Sequence, residues 1–120
     1  MPMKIVYVED NPDSIHPIER IISYLGYELL VADTIECGFV KLNEQPMFVL
    51  VDMLLPDGDA IVFTKKARMQ WPTLPIIILS GCANKGEREA CFEAGCTDYY
   101  IKLPNVDILV AIFKRYSETR

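Results

Sequence analysis

No apolar run in this chain approaches the length of a membrane span. The longest, such as Ile76 to Leu79, fall far short of the ~20 residues a helix needs to cross a bilayer. The N-terminal Met-Pro-Met-Lys leads directly into a run of four apolar residues, too short for a signal peptide. Histidine is nearly missing, with His16 alone. The cysteines at 37, 82, 91 and 96 form no C-x-x-C pair and have no histidine beside them. A zinc site is therefore not expected, and the thiols read as reduced groups of a cytoplasmic domain. Basic patches are lacking too. Twelve Lys and Arg face 17 Asp and Glu, for a formal net charge of −5. That sign excludes tracking of nucleic-acid phosphates by this domain and docking on anionic lipid. Linkers, low-complexity tracts and repeats are absent as well.

What is present suits a globular fold. The 120 residues, 51% hydrophobic and 24% charged, make one domain spanning 1–120. They hold enough apolar material for a core and too much for disorder. Two kinds of segment alternate. Short β-branched runs read as strands: Ile5 to Val8, Glu28 to Ala32, Phe48 to Val51, Ile76 to Leu79 and Asp98 to Ile101. The middle ones are almost continuously hydrophobic, as strands buried on both faces are. Between them lie helical spacings. Ile15, Ile18, Ile22 and Leu25 recur at steps of three and four until Gly26 stops them. Thr34 is placed to cap a helix carrying Ile35, Phe39 and Leu42. A third helix runs from about Asp59 to Met69, closed by Pro72 and Pro75. The fourth, about Lys85 to Ala94, contains Gly86 and few large apolar residues, so it should pack less firmly. The last opens near Pro104 and Asn105 and turns Val106, Leu109, Phe113 and Tyr116 inward. Five strand–helix repeats predict an α/β fold, a doubly wound parallel sheet with helices on both faces and right-handed crossovers.

Ligands of such a sheet bind beyond the carboxyl ends of its strands. The first strand ends in Glu9-Asp10, the third in Asp52 and the fourth in Ser80-Gly81; Lys102 follows the fifth. Singly, each has an ordinary reading. Asp52 could cap a helix, Ser80 could sit in a turn, and Lys102 could be a solvated charge on a buried stem. Together they fall on one edge. Two carboxylates 5 Å apart repel by about 3 kcal/mol at an effective dielectric of 20, so three gathered there call for a cation. The ligands on offer are all oxygen, which selects Mg²⁺ over Zn²⁺. A magnesium ion beside a carboxylate, an ammonium and a hydroxyl is equipment for phosphoryl transfer, with an Asp able to act as nucleophile.

With these residues in place the chain resembles the receiver domain of two-component response regulators, from residue 3 to 117. The landmarks are Val8-Glu9-Asp10-Asn11, Leu50-Val51-Asp52-Met53-Leu54-Leu55-Pro56-Asp57-Gly58, Leu79-Ser80-Gly81 and Gly95-Cys96-Thr97-Asp98-Tyr99-Tyr100-Ile101-Lys102. The resemblance implies five strands in the order 2-1-3-4-5 with five helices, a topology for which a member of this family is a standing example. It implies that Asp52 accepts a phosphoryl group from a histidine kinase or a histidine phosphotransfer protein. Glu9 and Asp10 would hold Mg²⁺ with Asp52 and the Leu54 backbone carbonyl. Lys102 and Ser80 would bind phosphoryl oxygens. Ser80 would move toward the phosphate and let Tyr99 turn inward, reshaping the surface of the fourth helix, fifth strand and fifth helix. That surface would meet a downstream protein or an output domain outside this chain, or form a homodimer. Whether the chain is a free-standing receiver or part of a longer regulator or hybrid kinase stays open.

Three departures from the family pattern matter, the third at two positions. Leu103 stands where proline usually follows the lysine; a trans Lys102–Leu103 bond is expected, since a cis bond would cost ~2.5–4 kcal/mol. Ala60 replaces a usual glycine, so the turn cannot use positive φ there cheaply. Leu54 and Cys82 are poor at orienting water, so self-dephosphorylation should be slow. Such a domain is not a turnover enzyme. Other functions fit the sequence less well. A Mg²⁺-dependent phosphohydrolase would want a second Asp where Leu54 stands. A flavin mononucleotide binder would want a hydroxyl- and glycine-rich loop where the acidic Glu9-Asp10-Asn11-Pro12-Asp13 stands. A degenerate receiver that only binds proteins would not need the full residue set.

Overall fold

The computed structural model describes residues 3–82, 84–102 and 106–118. The Lys102–Leu103 bond, the helix opening at Pro104 and Asn105, and the Val106 side chain carried expectations that lie outside the described residues. Five parallel strands form one sheet: β1 (Lys4–Val8), β2 (Glu28–Ala32), β3 (Phe48–Asp52), β4 (Ile76–Ser80) and β5 (Asp98–Ile101). Their spatial order is β2-β1-β3-β4-β5, as the resemblance implied. Helices α1 (Pro12–Tyr24), α2 (Ile35–Leu42), α3 (Ala60–Gln70), α4 (Lys85–Ala94) and α5 (Val106–Glu118) follow the strands in turn. Among the described residues no helix is long and apolar enough to cross a membrane.

Every residue of β3 and β4 is buried, because alternate side chains feed two cores. Val6, Val8, Val49, Val51, Ile76 and Ile78 point to one face, against Ile35 and Leu42 of α2, Phe63 of α3 and Cys91 of α4. Ile5, Tyr7, Phe48, Leu50, Ile77 and Leu79 point to the other, against Ile18 and Ile22 of α1 and Leu109 and Phe113 of α5. Each large apolar side chain so buried contributes ~1.5–3 kcal/mol. The α4 helix buries only Cys91 and Ala94, the light anchoring its composition predicted.

Local chemistry starts and stops the helices. Asn11, Thr34, Asp59 and Asn84 each accept a backbone N–H of the first turn, at 3.0, 3.0, 2.9 and 3.1 Å, caps worth ~1 kcal/mol apiece. Gly26 ends α1 at φ +83, a left-handed residue where glycine carries no Cβ penalty. Between Asp52 and α3, Leu54–Leu55 and Gly58–Asp59 pair as a short antiparallel ribbon. The positive φ of this turn falls on Gly58, at +151, and not on Ala60, so alanine there is no obstacle. Asp57 reaches from the ribbon to α2, accepting the N–H groups of Ile35 at 2.8 Å and Glu36 at 3.2 Å. Those bonds hold its carboxyl below the usual range.

Arg68 was not singled out by sequence reasoning, yet it ties three elements together. Its guanidinium donates to the carbonyls of Gly95 at 2.7 Å, Trp71 at 2.9 Å and Leu74 at 2.6 Å, and to Thr97 Oγ1 at 3.2 Å. Arg68→Ala strands several carbonyls and should lower unfolding free energy by about 2–4 kcal/mol in urea titration. Arg68→Lys should recover less than half, since an ammonium lacks the planar fork. An unchanged midpoint in the alanine variant would mean that water replaces the guanidinium without loss.

Candidate functional site

Parallel strands bring their carboxyl ends to one edge, and the register sets the height of each group there. Val8 lies beside Val51, Asp52 beside Leu79, and Ser80 beside Ile101. Glu9 and Asp10 leave β1, Asp52 ends β3, Ser80 ends β4, and Lys102 leaves β5. These groups come together, as expected from the strand ends. One oxygen each from Glu9, Asp10 and Asp52 lies within 4.8 Å of the others. Glu9 is fully buried, Asp52 nearly so, and Asp10 is exposed. Lys102 Nζ sits 2.6 Å from Glu9 Oε1 and 3.3 Å from Asp52 Oδ1.

The electrostatics are unbalanced, with one ammonium facing three carboxylates. Burial, followed by the hydrogen bond and charge of Glu9, pushes the Asp52 carboxyl up to about 6, although Lys102 pulls the other way. Burial works against the Lys102 charge, but Glu9 and Asp52 outweigh it and hold the ammonium above its ordinary value. Apart from the Lys102 ammonium and the Asp52 carboxyl beside them, the buried oxygens of Glu9 have no hydrogen-bond partner among the described residues. The Tyr7 hydroxyl, buried without a hydrogen-bond partner among the described residues, is raised by burial and then by Glu9 and Asp52. Buried carboxylate oxygens short of donors, in an all-oxygen set with excess negative charge, fit a hard divalent cation.

Beside this cluster a pocket of about 250 Å³ is lined by Asp52, Leu54, Ser80, Cys82, Glu87 and Lys102 among others. Leu54 stands two residues beyond the acidic strand end, 72% exposed at the rim. The Ser80 hydroxyl lies 2.5 Å from Glu87 Oε2 and 3.0 Å from the Cys82 carbonyl. Tyr99 is turned inward and buried, and its hydroxyl donates to the same Glu87 Oε2. Burial and that bond raise the phenol. His16 is exposed on α1. The four cysteines are free; burial pushes Cys91 up to about 11 and Cys96 up to about 12, so both are inert thiols.

Glu87 is the site residue that sequence reasoning missed. The run Asn84-Lys85-Gly86-Glu87 has the spacing of a capping box, whose glutamate would return to its own helix end. The backbone half of that box forms, with Glu87 N–H donating to Asn84 Oδ1. The carboxyl instead turns to Ser80 and Tyr99.

Comparison with known proteins gives this geometry a lineage. The KDP operon transcriptional regulatory protein KdpE of Escherichia coli is 29% identical over 99 residues, covering 82% of this chain and 44% of that protein. Response regulator MprA of a Mycobacterium species is 30% identical over 103 residues, covering 85% of this chain and 45% of that protein. The chain thus spans less than half the length of these curated relatives. Among solved structures, a CheY-like response regulator receiver domain protein from Methanospirillum hungatei superposes with TM-score 0.88 at 28% identity, covering 98% of this chain and 96% of that one. A two-component response regulator from Clostridium difficile gives 0.90 at 23% identity, with coverage of 97% and 96%, a likeness of fold alone. The family profile described as the response regulator receiver domain matches residues 5–114. From β1 into α5, then, fold, strand-end carboxylates and family profile coincide, and the chain belongs to the response regulator receiver domain family.

Proposed function

We infer that residues 1–120 form one receiver domain whose phosphoacceptor is Asp52. The observation that carries this reading is the Asp52 carboxyl at the end of β3, in contact with Lys102 and gathered with Glu9 and Asp10 on the edge of a pocket lined by Ser80. An Asp52 oxygen attacks the phosphorus of a phosphohistidine on a histidine kinase or histidine phosphotransfer protein. The O–P bond forms, the P–N bond breaks, and the imidazole leaves with the electron pair and takes up a proton. Lys102 and Ser80 receive the oxygens of the transferred group. Glu9, Asp10, Asp52 and the Leu54 carbonyl would hold Mg²⁺, which when bound supplies positive charge against the phosphoryl oxygens. The signal leaves through the surface of α4, β5 and α5, where Tyr99 is buried and Ile101 is 46% exposed. It passes to a target protein, a second copy of the chain or an output domain of a longer regulator. Free buried thiols suit a cytoplasmic setting.

Leu54 and Cys82 flank the acceptor at the pocket and bring no side chain suited to orienting an attacking water. The acyl phosphate therefore turns over slowly, and the domain acts as a switch and not as a hydrolase. Incubation with Mg²⁺ and acetyl phosphate should load one phosphoryl group per chain. Peptide mapping should place it on Asp52, EDTA should prevent it, and the acyl phosphate should last minutes after donor removal. A label on another residue would refute the acceptor assignment. Catalytic release of phosphate over many turnovers would replace the switch with a phosphohydrolase.

A further inference from the structure

Two hydroxyls of the site converge on a single oxygen. Ser80, at the end of β4, and Tyr99, in β5, both donate to Glu87 Oε2 on the first turn of α4. Ser80 is 1% exposed and Tyr99 9%, so little of either residue faces water. A serine hydroxyl carries one proton. Here it lies between Glu87 and the Cys82 carbonyl, so it cannot be given at the same moment to a phosphoryl oxygen on Asp52. Glu87 itself lines the pocket that holds Asp52 and Lys102. The helix carrying it is lightly anchored, with only Cys91 and Ala94 buried.

Building on the phosphoacceptor reading, we propose that Glu87 is the positioning residue that couples Ser80 to Tyr99. It competes with the phosphoryl group for the Ser80 hydroxyl and keeps the Tyr99 ring inward. When Ser80 turns to the phosphoryl group, Glu87 Oε2 loses one of its two donors and belongs to Tyr99. The exchange costs one hydrogen bond and makes another, so loading is slower than the acceptor chemistry alone requires. The state of Ser80 is passed to the α4 and β5 surface through this carboxyl, beside the weaker link of the Cys82 carbonyl, which both hydroxyls also approach at 3.0 and 3.5 Å.

The test is a double-mutant cycle on the loading rate with acetyl phosphate and Mg²⁺. Glu87→Ala frees Ser80 and should load about three- to tenfold faster than the parent, the range of one net hydrogen bond. Glu87→Gln, which keeps an acceptor but not the charge, should show a smaller gain. In a Ser80→Ala background, slower overall, Glu87→Ala should change nothing further. In 3-fluorotyrosine-labelled protein the Tyr99 resonance, assigned with Tyr99→Phe, should shift in Glu87→Ala before any phosphate is added. Unchanged loading in Glu87→Ala and Glu87→Gln overturns the inference. So does an equal acceleration with and without Ser80, which reveals simple charge repulsion, and so does a Tyr99 resonance that stays in place. If the parent fails to load on Asp52, the acceptor reading falls, and this inference with it. A parent that loads normally beside unaffected Glu87 variants overturns the inference alone.

Discussion

An Asp52→Asn protein should take up no phosphoryl group from acetyl phosphate and yet be more stable than the parent in metal-free buffer near neutral pH. The first effect follows from loss of the nucleophilic oxygen. The second follows from burial of Asp52 and, after that, from Glu9 beside it. The folded protein raises the Asp52 carboxyl to about 6, from an ordinary value of 3.8. The folded state therefore holds this proton more tightly than the unfolded chain. Stability from this group is greatest below the unfolded value, falls as pH rises from about 4 to about 6, and stays low above that. The gap corresponds to about 3 kcal/mol. Asparagine keeps the shape without the charge, but it also gives up the contact with Lys102 at 3.3 Å. The net gain should be about 1–2 kcal/mol near neutrality and should vanish by about pH 4. Excess Mg²⁺ should close the difference, since a ligand at 100 times its dissociation constant stabilises by about 2.7 kcal/mol. Urea titrations with EDTA and with Mg²⁺ read both terms. A variant less stable than the parent in EDTA at neutral pH would show that Lys102 already offsets the carboxylates.

Lys102→Met should act in the opposite direction. Methionine keeps most of the stem but leaves the fully buried Glu9 without the cation now 2.6 Å away. Removing one partner of a buried pair costs about 3–5 kcal/mol. Lys102 is held above 10.5, so its contribution is complete at all lower pH and is lost only as pH rises through that elevated value. Between neutrality and acid the lysine of the parent does not titrate. Any pH dependence of the mutational cost there belongs to the carboxyls. The cost should shrink as pH falls below about 6, where Asp52 takes up a proton and no longer needs its share of the ammonium. Loading should slow by a factor on the order of 10²–10³, as for other losses of transition-state charge stabilisation. Combining the change with Asp52→Asn should be milder than adding the two, since each removes part of one network. A cost below about 1 kcal/mol at neutral pH would mean that water reaches Glu9 and replaces the ammonium.

The chain announces its strands, most of its helix starts and the gathering of its strand-end residues openly. Unbroken runs such as Ile76 to Leu79 read as doubly buried strands, and β4 is buried throughout. Thr34 caps where local spacing put it, and the third helix begins just after Asp59, close to the start its spacing gave. Glu9, Asp10, Asp52, Ser80 and Lys102 were legible because parallel strands end on one edge whatever the details of packing. Other features left no mark in a linear reading. Glu87 looks like a cap residue and serves two distant hydroxyls; Ser80 is seven residues before it and Tyr99 twelve after. Arg68 looks like a surface charge and holds together chain segments up to 29 residues apart. Asp57 looks like a turn residue and caps a helix 22 residues earlier. Periodicity and capping are local rules, set by neighbours within a turn or a pleat. Which carboxyl meets which hydroxyl depends on how helices settle on the sheet, and that geometry exists only once both cores have packed.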